Sequence, residues 1–210
     1  DILSRLLSRA DIFVQNLAPG AVDRLGLASA ELRGKYPRLI VCNISGYGAS
    51  GPYRDKKAYD LLIQAESGVS SVTGGPEAPA RVGVSIVDVA AGLNAYEAIH
   101  EALVARAKTN QGTEISVSMF DAMAEWMTVP LLHGEGGLPF KRIGLAHAAI
   151  APYGVFKSRD GADILIAIQN DREWRVLAEK VLGEAGLGKD PKFATNPKRV
   201  ENRANTDAKV

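Results

Sequence analysis

The chain has 210 residues, 46% of them hydrophobic and 23% charged, a composition that excludes overall disorder and allows one large or two small globular domains. Twenty-five Lys and Arg against 24 Asp and Glu leave a formal net charge of +1, so neither nucleic acid nor an anionic membrane is expected as a partner, and any anion must be held locally. No apolar run approaches the roughly 18 residues of a membrane span, no signal peptide is recognisable, and the single cysteine, Cys42, sits inside a β-type run, so a cytoplasmic chain without disulfides is expected.

The chain opens at Asp1 without Met, already in helical rhythm, and closes at Val210 without a terminating signal, so it reads as a piece of a longer protein. In chain order, a helix ending near Ala10 leads into a short strand over 12–15. The turn Ala18-Pro-Gly20 then starts a helix over 21–25. Another helix, 29–35, is stopped by Pro37, and 39–44 is the next strand. After a loop over 45–57 comes a helix over 59–66, then the glycine-rich turn Thr73-Gly-Gly-Pro76. A long helix runs from Asp88 to Ala105, a strand covers 113–117, and an amphipathic helix covers 119–127. Helices alternating with continuous apolar strands predict a parallel α/β sheet covered on both faces.

The pattern changes after Val129. Residues 130–150 are loop-rich and read as a linker, and strands over 153–156 and 163–168 flank the turn Ser158-Arg-Asp-Gly161 as a hairpin. Helices follow over 171–182 and from Arg199 onward. The expected organisation is a large Rossmann-like domain over 1–129, incomplete at its N-terminus, and the beginning of a small α+β domain over 151–210.

Asp88 is the leading candidate for chemistry. It interrupts the apolar stretch Arg81-Val-Gly-Val-Ser-Ile-Val-Asp88, and from Val89 the spacing Val89, Leu93, Tyr96, Ile99, Leu103 predicts one buried helical face. One reading makes Asp88 the helix N-cap. The other makes it a nucleophilic carboxylate in an apolar surround, with free N–H groups of the helix start able to receive developing charge. Asp121 ranks second, with the Ser118 hydroxyl beside it as a cap. Arg24, Lys56 and Lys57 are anion-binding candidates beside loops, where ligands of open α/β sheets collect.

Other signals carry less. Gly46-Tyr-Gly48-Ala-Ser-Gly51 has dinucleotide-loop spacing, but a polar loop follows where the motif needs a helix, so NAD is not expected. His100, His133, His147 and Cys42 lack metal-ligand spacing, so no metal is expected. Trp126 and Trp174 sit in helical patterns and are read as packing residues.

The ordered stretches Asp11-Ile-Phe-Val-Gln-Asn16-Leu-Ala-Pro19-Gly20-Ala-Val-Asp-Arg24-Leu-Gly26, Lys57-Ala-Tyr59-Asp-Leu-Leu-Ile-Gln64, Ser71-Val-Thr-Gly-Gly75 and Ile86-Val-Asp88 together resemble the class III CoA-transferases, the CaiB/BaiF family. The resemblance covers most of the chain and is strongest over 12–127. It implies that Asp88 is the catalytic aspartate, passing through aspartyl anhydride and aspartyl-CoA intermediates. It also implies that Asn16, Leu17, Arg24 and Lys57 contact coenzyme A, and that Tyr59 lines the acyl pocket. Acyl-CoA and a small carboxylic acid are the implied substrates and an interlocked homodimer the implied assembly. Members acting on short dicarboxylates with succinyl-CoA as donor look most similar.

The α-methylacyl-CoA racemases resemble the same fold but place a histidine where this chain has Tyr59. A phenol, neutral at pH 7, accepts a proton poorly, which favours the transferase. A catalytically inactive CoA-binding fragment is the remaining alternative.

Overall fold

The computed structural model describes residues 2–138 and 140–210 and divides into two compact units, residues 1–73 with 79–139 and residues 74–78 with 140–210.

In the first unit, α1 (Ile2–Leu7), β1 (Ile12–Gln15), α2 (Ala21–Arg24), α3 (Ser29–Lys35) and β2 (Ile40–Ser45) are followed by α4 (Asp60–Glu66) and a short α5 (Val69–Val72). Then come α6 (Ile86–Thr109), β3 (Glu114–Ser118), α7 (Met119–Trp126) and α8 (Thr128–Glu135). The strands form a parallel sheet in the order β1-β2-β3, with Ile12 opposite Ile40 and Val41 opposite Glu114. Successive side chains of a strand point to opposite faces, and the central strand is buried on both. Val41 packs with Leu7, Leu27, Leu32 and Leu39, whereas Cys42 packs with Ala91, Ala95 and Val117. The expected α/β class with helices on both faces is what the chain forms.

The long helix α6 departs from expectation in its orientation. Its buried side chains are Val87, Ala90, Ala91, Ala95, Ala102 and Arg106. Leu93 and Tyr96 are 56% and 63% exposed, and Val89 and Val104 also face outward. The helix carries apolar residues on two stripes, and the smaller one won because alanines let the helix lie close against β2 and β3. Near its far end Arg106 donates to the carbonyls of Asp11 and Arg38 and pairs with the Asp11 carboxylate at 2.9 Å. That anchor lies at the amino edge of the strands. Eighteen helical residues span about 27 Å, more than β2 covers, so Asp88 stands at the carboxyl edge.

The second unit contains a hairpin of β4 (Tyr153–Lys157) and β5 (Asp163–Ala167). Then α9 (Asp171–Val176) continues through a π-helical turn, Leu177–Val181, and a 3₁₀ turn, Ala185–Gly188, precedes α10 (Asn196–Glu201) and α11 (Arg203–Lys209). Asn170 caps α9 by accepting the N–H groups of Arg172 and Glu173, while Glu173 reaches back to the Gln169 N–H, a reciprocal cap. Trp174 is fully buried, with the Arg199 guanidinium 5.3 Å from its ring. Arg199 is buried too, and it donates to the Ala151 and Phe193 carbonyls and to Asp171.

Residues 130–150, expected as a linker, are divided between the units. The first part is the helix α8, and residues 140–150 belong to the second unit together with 74–78. That pairing spans 66 positions of chain between Gly74 and Phe140, which no local pattern reveals. Trp126, expected to pack, is 53% exposed.

Candidate active site

In a parallel sheet the loops after each strand collect at one edge, and ligands of open α/β sheets bind there. Asn16 and Leu17 follow β1, and Leu17 donates its N–H to Gln15 Oε1 at 2.8 Å. Gln15 in turn donates to Asn43 Oδ1 at 2.9 Å, so the end of β1 is tied to β2. Gly20 at φ 70° makes the turn into α2 that only glycine adopts without strain. The Arg24 guanidinium folds back over it, where a Cβ would lie 3.1 Å from Arg24 Nη1. Arg24 is exposed and makes no ion pair among the described residues.

The loop after β2 separates the two lysines that sequence could not rank. Lys56 is paired with Glu66 and sits 5.4 and 4.7 Å from the ring centroids of Tyr47 and Tyr53. Tyr47 donates its hydroxyl to Glu66 Oε2 at 2.5 Å, and partial burial together with this carboxylate pushes the phenol up to about 12. Lys56 is therefore committed to folding the loop. Lys57 is exposed and has no ion-pair partner among the described residues. Gly51 opens no helix, since the next one begins at Asp60, so the glycine triplet lacks the geometry of a dinucleotide loop.

Tyr59 is the extended residue just before α4, at φ −144°, and is 68% exposed. The next residue, Asp60, accepts the Val87 N–H at 2.9 Å. Tyr59 and Asp88 each neighbour a partner in that one hydrogen bond, although they are far apart in sequence. Asp88 is not the N-cap. Ser85 holds that position and Asp88 is the third helical residue. Its carboxylate is exposed and accepts no hydrogen bond among the described residues. Partial desolvation, and then the nearby Asp60 carboxylate, hold the Asp88 carboxyl above its ordinary range. The N–H groups expected to be free at this helix start are largely used: Ile86 donates to Val84, Val87 to Asp60 and Val89 to Ser85.

Asp121 is exposed in the first turn of α7, and its N–H is capped by Ser118 Oγ at 3.2 Å. Cys42 is fully buried, and burial pushes its thiol up. No group of three or more His, Cys, Asp or Glu among the described residues is placed to hold a metal ion. No helix among the described residues is long and apolar enough to cross a membrane. Sequence reasoning missed Asp60, Gln64 and Glu66, whose partners lie across loops. Its only hint was a carboxylate at the first position of a helix.

A three-stranded parallel sheet, flanked by helices, whose carboxyl edge is followed by Asn16 and Leu17 after β1, by Lys57 and Tyr59 after β2, and faced by Asp88 at the start of α6, defines an α/β protein. Residues 1–210 match the family described as CoA-transferase family III, and the chain belongs to that family. It is 37% identical over 205 residues to the acetyl-CoA:oxalate CoA-transferase of Acetobacter aceti, covering 96% of this chain and 52% of that enzyme. It is 35% identical over 204 residues to the succinyl-CoA:glutarate CoA-transferase of Mus musculus, covering 96% and 46%. The crystal structure of a CaiB/BaiF family protein from Brucella suis superposes with a TM-score of 0.83 at 37% identity, over 99% of this chain and 55% of that one. The chain thus spans about half the length of the curated relatives it matches.

Proposed function

We propose that the chain supplies the nucleophile and the CoA-facing edge of a class III CoA-transferase, which moves CoA from an acyl-CoA donor to a carboxylic acid acceptor. The observation that carries this reading is the unpartnered Asp88 carboxylate at the edge where Asn16, Leu17, Arg24, Lys57 and Tyr59 stand. A structural aspartate at a helix start would be capping it, and here Ser85 stands at the N-cap position without a side-chain cap bond while Asp60, from α4, takes the Val87 N–H.

In the proposed cycle an Asp88 oxygen attacks the donor thioester carbonyl. The C–S bond breaks and leaves a mixed anhydride and CoA thiolate. The thiolate attacks the aspartyl carbonyl, releasing the donor acid and forming aspartyl-CoA. The acceptor carboxylate then displaces CoA from that thioester, and the thiolate attacks the acyl carbonyl of the second anhydride. Acyl-CoA product and the free Asp88 carboxylate result. Each activated bond is exchanged for another, so no other energy source is needed. Lys57 and Arg24 would balance phosphate charge, and Tyr59 would line the acyl pocket. The relatives named for oxalate and glutarate support a short dicarboxylate acceptor, and the one named for succinyl-CoA supports that donor.

The residues of the first unit are read as part of a large catalytic domain and those of the second as part of a small one. A cytoplasmic setting agrees with the buried free Cys42. The outward stripe of α6, Val89, Leu93 and Tyr96, supports a homodimer.

The test uses the full-length protein. Asp88→Asn is expected to lower kcat by about three orders of magnitude or more. Incubation with succinyl-CoA and hydroxylamine is expected to leave a hydroxamate on Asp88 in peptide mass spectra. Retained transferase activity in Asp88→Asn would remove the assignment, and α-proton exchange without an acceptor acid would favour the racemase.

A further inference from the structure

We propose that Asp60 and Gln64 form a positioning pair that sets the segment carrying Asp88 against Tyr59. The proposal rests on Asp88 being the nucleophile.

Asp60 and Gln64 are four residues apart on α4 and so share one helical face. Gln64 is fully buried, and a buried amide must satisfy both its oxygen and its nitrogen. Gln64 Oε1 accepts the Val82 N–H at 2.8 Å, which only an oxygen can do, so the NH₂ group must point the other way. It donates to Asp60 Oδ2 at 2.7 Å and, more weakly, to the Val82 carbonyl at 3.4 Å. The other Asp60 oxygen takes the Val87 N–H at 2.9 Å.

One turn of α4 thus holds both ends of residues 82–87, the stretch that delivers the chain into Asp88. Around it Ile63 packs with Val87 and Ala90, and Val82 lies against the same cluster, so the polar pair is walled by apolar side chains. The other end of the grip is Tyr59, immediately before Asp60. Every bond in the relay has a direction. Val82 and Val87 offer N–H groups, Gln64 passes the direction along, and Asp60 receives on both of its carboxyl oxygens.

That polarity makes the pair testable by exchange. Asp60→Asn turns an NH₂ group toward the Gln64 NH₂ group, two donors facing each other. Gln64→Glu sets two carboxylates together. The double variant Asp60→Asn/Gln64→Glu restores the chain: the asparagine oxygen accepts from Val87, its NH₂ donates to the new carboxylate, and that carboxylate accepts from Val82. Only the 3.4 Å contact is lost.

The experiment uses full-length protein, with kcat, KM for succinyl-CoA, and amide hydrogen exchange over residues 80–90. Asp60→Asn is expected to lower kcat about 100-fold, the scale of a misplacement near 1 Å. KM should change less than about threefold, and exchange in that segment should rise. The double variant is expected to recover at least about tenfold in kcat together with the protection. Unchanged kcat in Asp60→Asn would overturn the proposal, as would a double variant whose protection returns while kcat does not. Hydroxylamine trapping at Asp88 in the wild type separates the two ideas. If Asp88 is trapped and the exchange pattern is not followed by kcat, the positioning pair fails and the nucleophile stands. If Asp88 is never trapped and Asp88→Asn stays active, the nucleophile reading itself fails.

Discussion

Asp88 carries a charge that the fold leaves without hydrogen-bond donors, in a place where desolvation and the Asp60 carboxylate both resist ionisation. The sign of the effect on activity follows directly. As the proposed nucleophile Asp88 must be ionised, and a raised carboxyl loses its charge at a higher pH than an ordinary aspartate, so the acid limb of kcat/KM should lie above the usual aspartate range of about 4. Removing the Asp60 charge should move that limb to lower pH, and a pH–rate profile of the full-length enzyme and Asp60→Asn checks it. The same sign governs stability. A carboxyl raised on folding stabilises below its unfolded value and loses that contribution as pH rises through its folded value. At this scale Asp88 was legible as a residue to explain, because an acid inside an apolar run asks for a reason. Its neighbour was not, because Asp60 meets Val87 across 27 positions of chain and nothing local announces the contact.

Elements were legible in kind and order wherever a strand or helix carries its own signal, as in β1, β2, α3 and the β4–β5 hairpin. The face of α6 was not, because rank by side-chain size picks the wrong stripe when alanines make the closer contact. Glycines show the same competition between local and tertiary demands. Gly112, in the turn before β3, donates its N–H to the Pro37 carbonyl at 2.8 Å, and a Cβ there would run into the backbone carbonyl of Leu39. Backbone cannot step aside as a flexible side chain can. Gly112→Ala is therefore expected to cost about 1–3 kcal/mol, read as a lowered urea midpoint with an unchanged slope. The loop after β2 has its own pH window. Glu66 is held below the usual carboxylate range by its bonds from Lys56 and then Tyr47, so its contribution is present above the unfolded value and fades as pH falls through the folded one.

For the whole molecule, a change of pattern near residue 130 was readable in the sequence, whereas the grouping of residues 74–78 with 140–210 was not, since those residues come from far upstream. The outward stripe of α6 belongs to this scale as well. Monomeric proteins seldom keep leucine and tyrosine aligned in the open along a long helix, and self-association is the proposed reason. Leu93→Asp in the full-length protein is expected to shift sedimentation toward the monomer while leaving the circular dichroism of the helices in place. A dimer of unchanged strength would assign the stripe another use.

The long helix is also a ruler. Arg106 fixes its trailing end to the carbonyls of Asp11 and Arg38, and Asp60 fixes its leading end through Val87. A rod clamped at both ends can change its side chains but not its count. One residue added between those clamps would turn Asp88 by about 100° and displace it by about 1.5 Å relative to the sheet. The spacing of Asp88 to Arg106 is therefore a dimension of this fold that an insertion cannot change without freeing one of the two clamped ends.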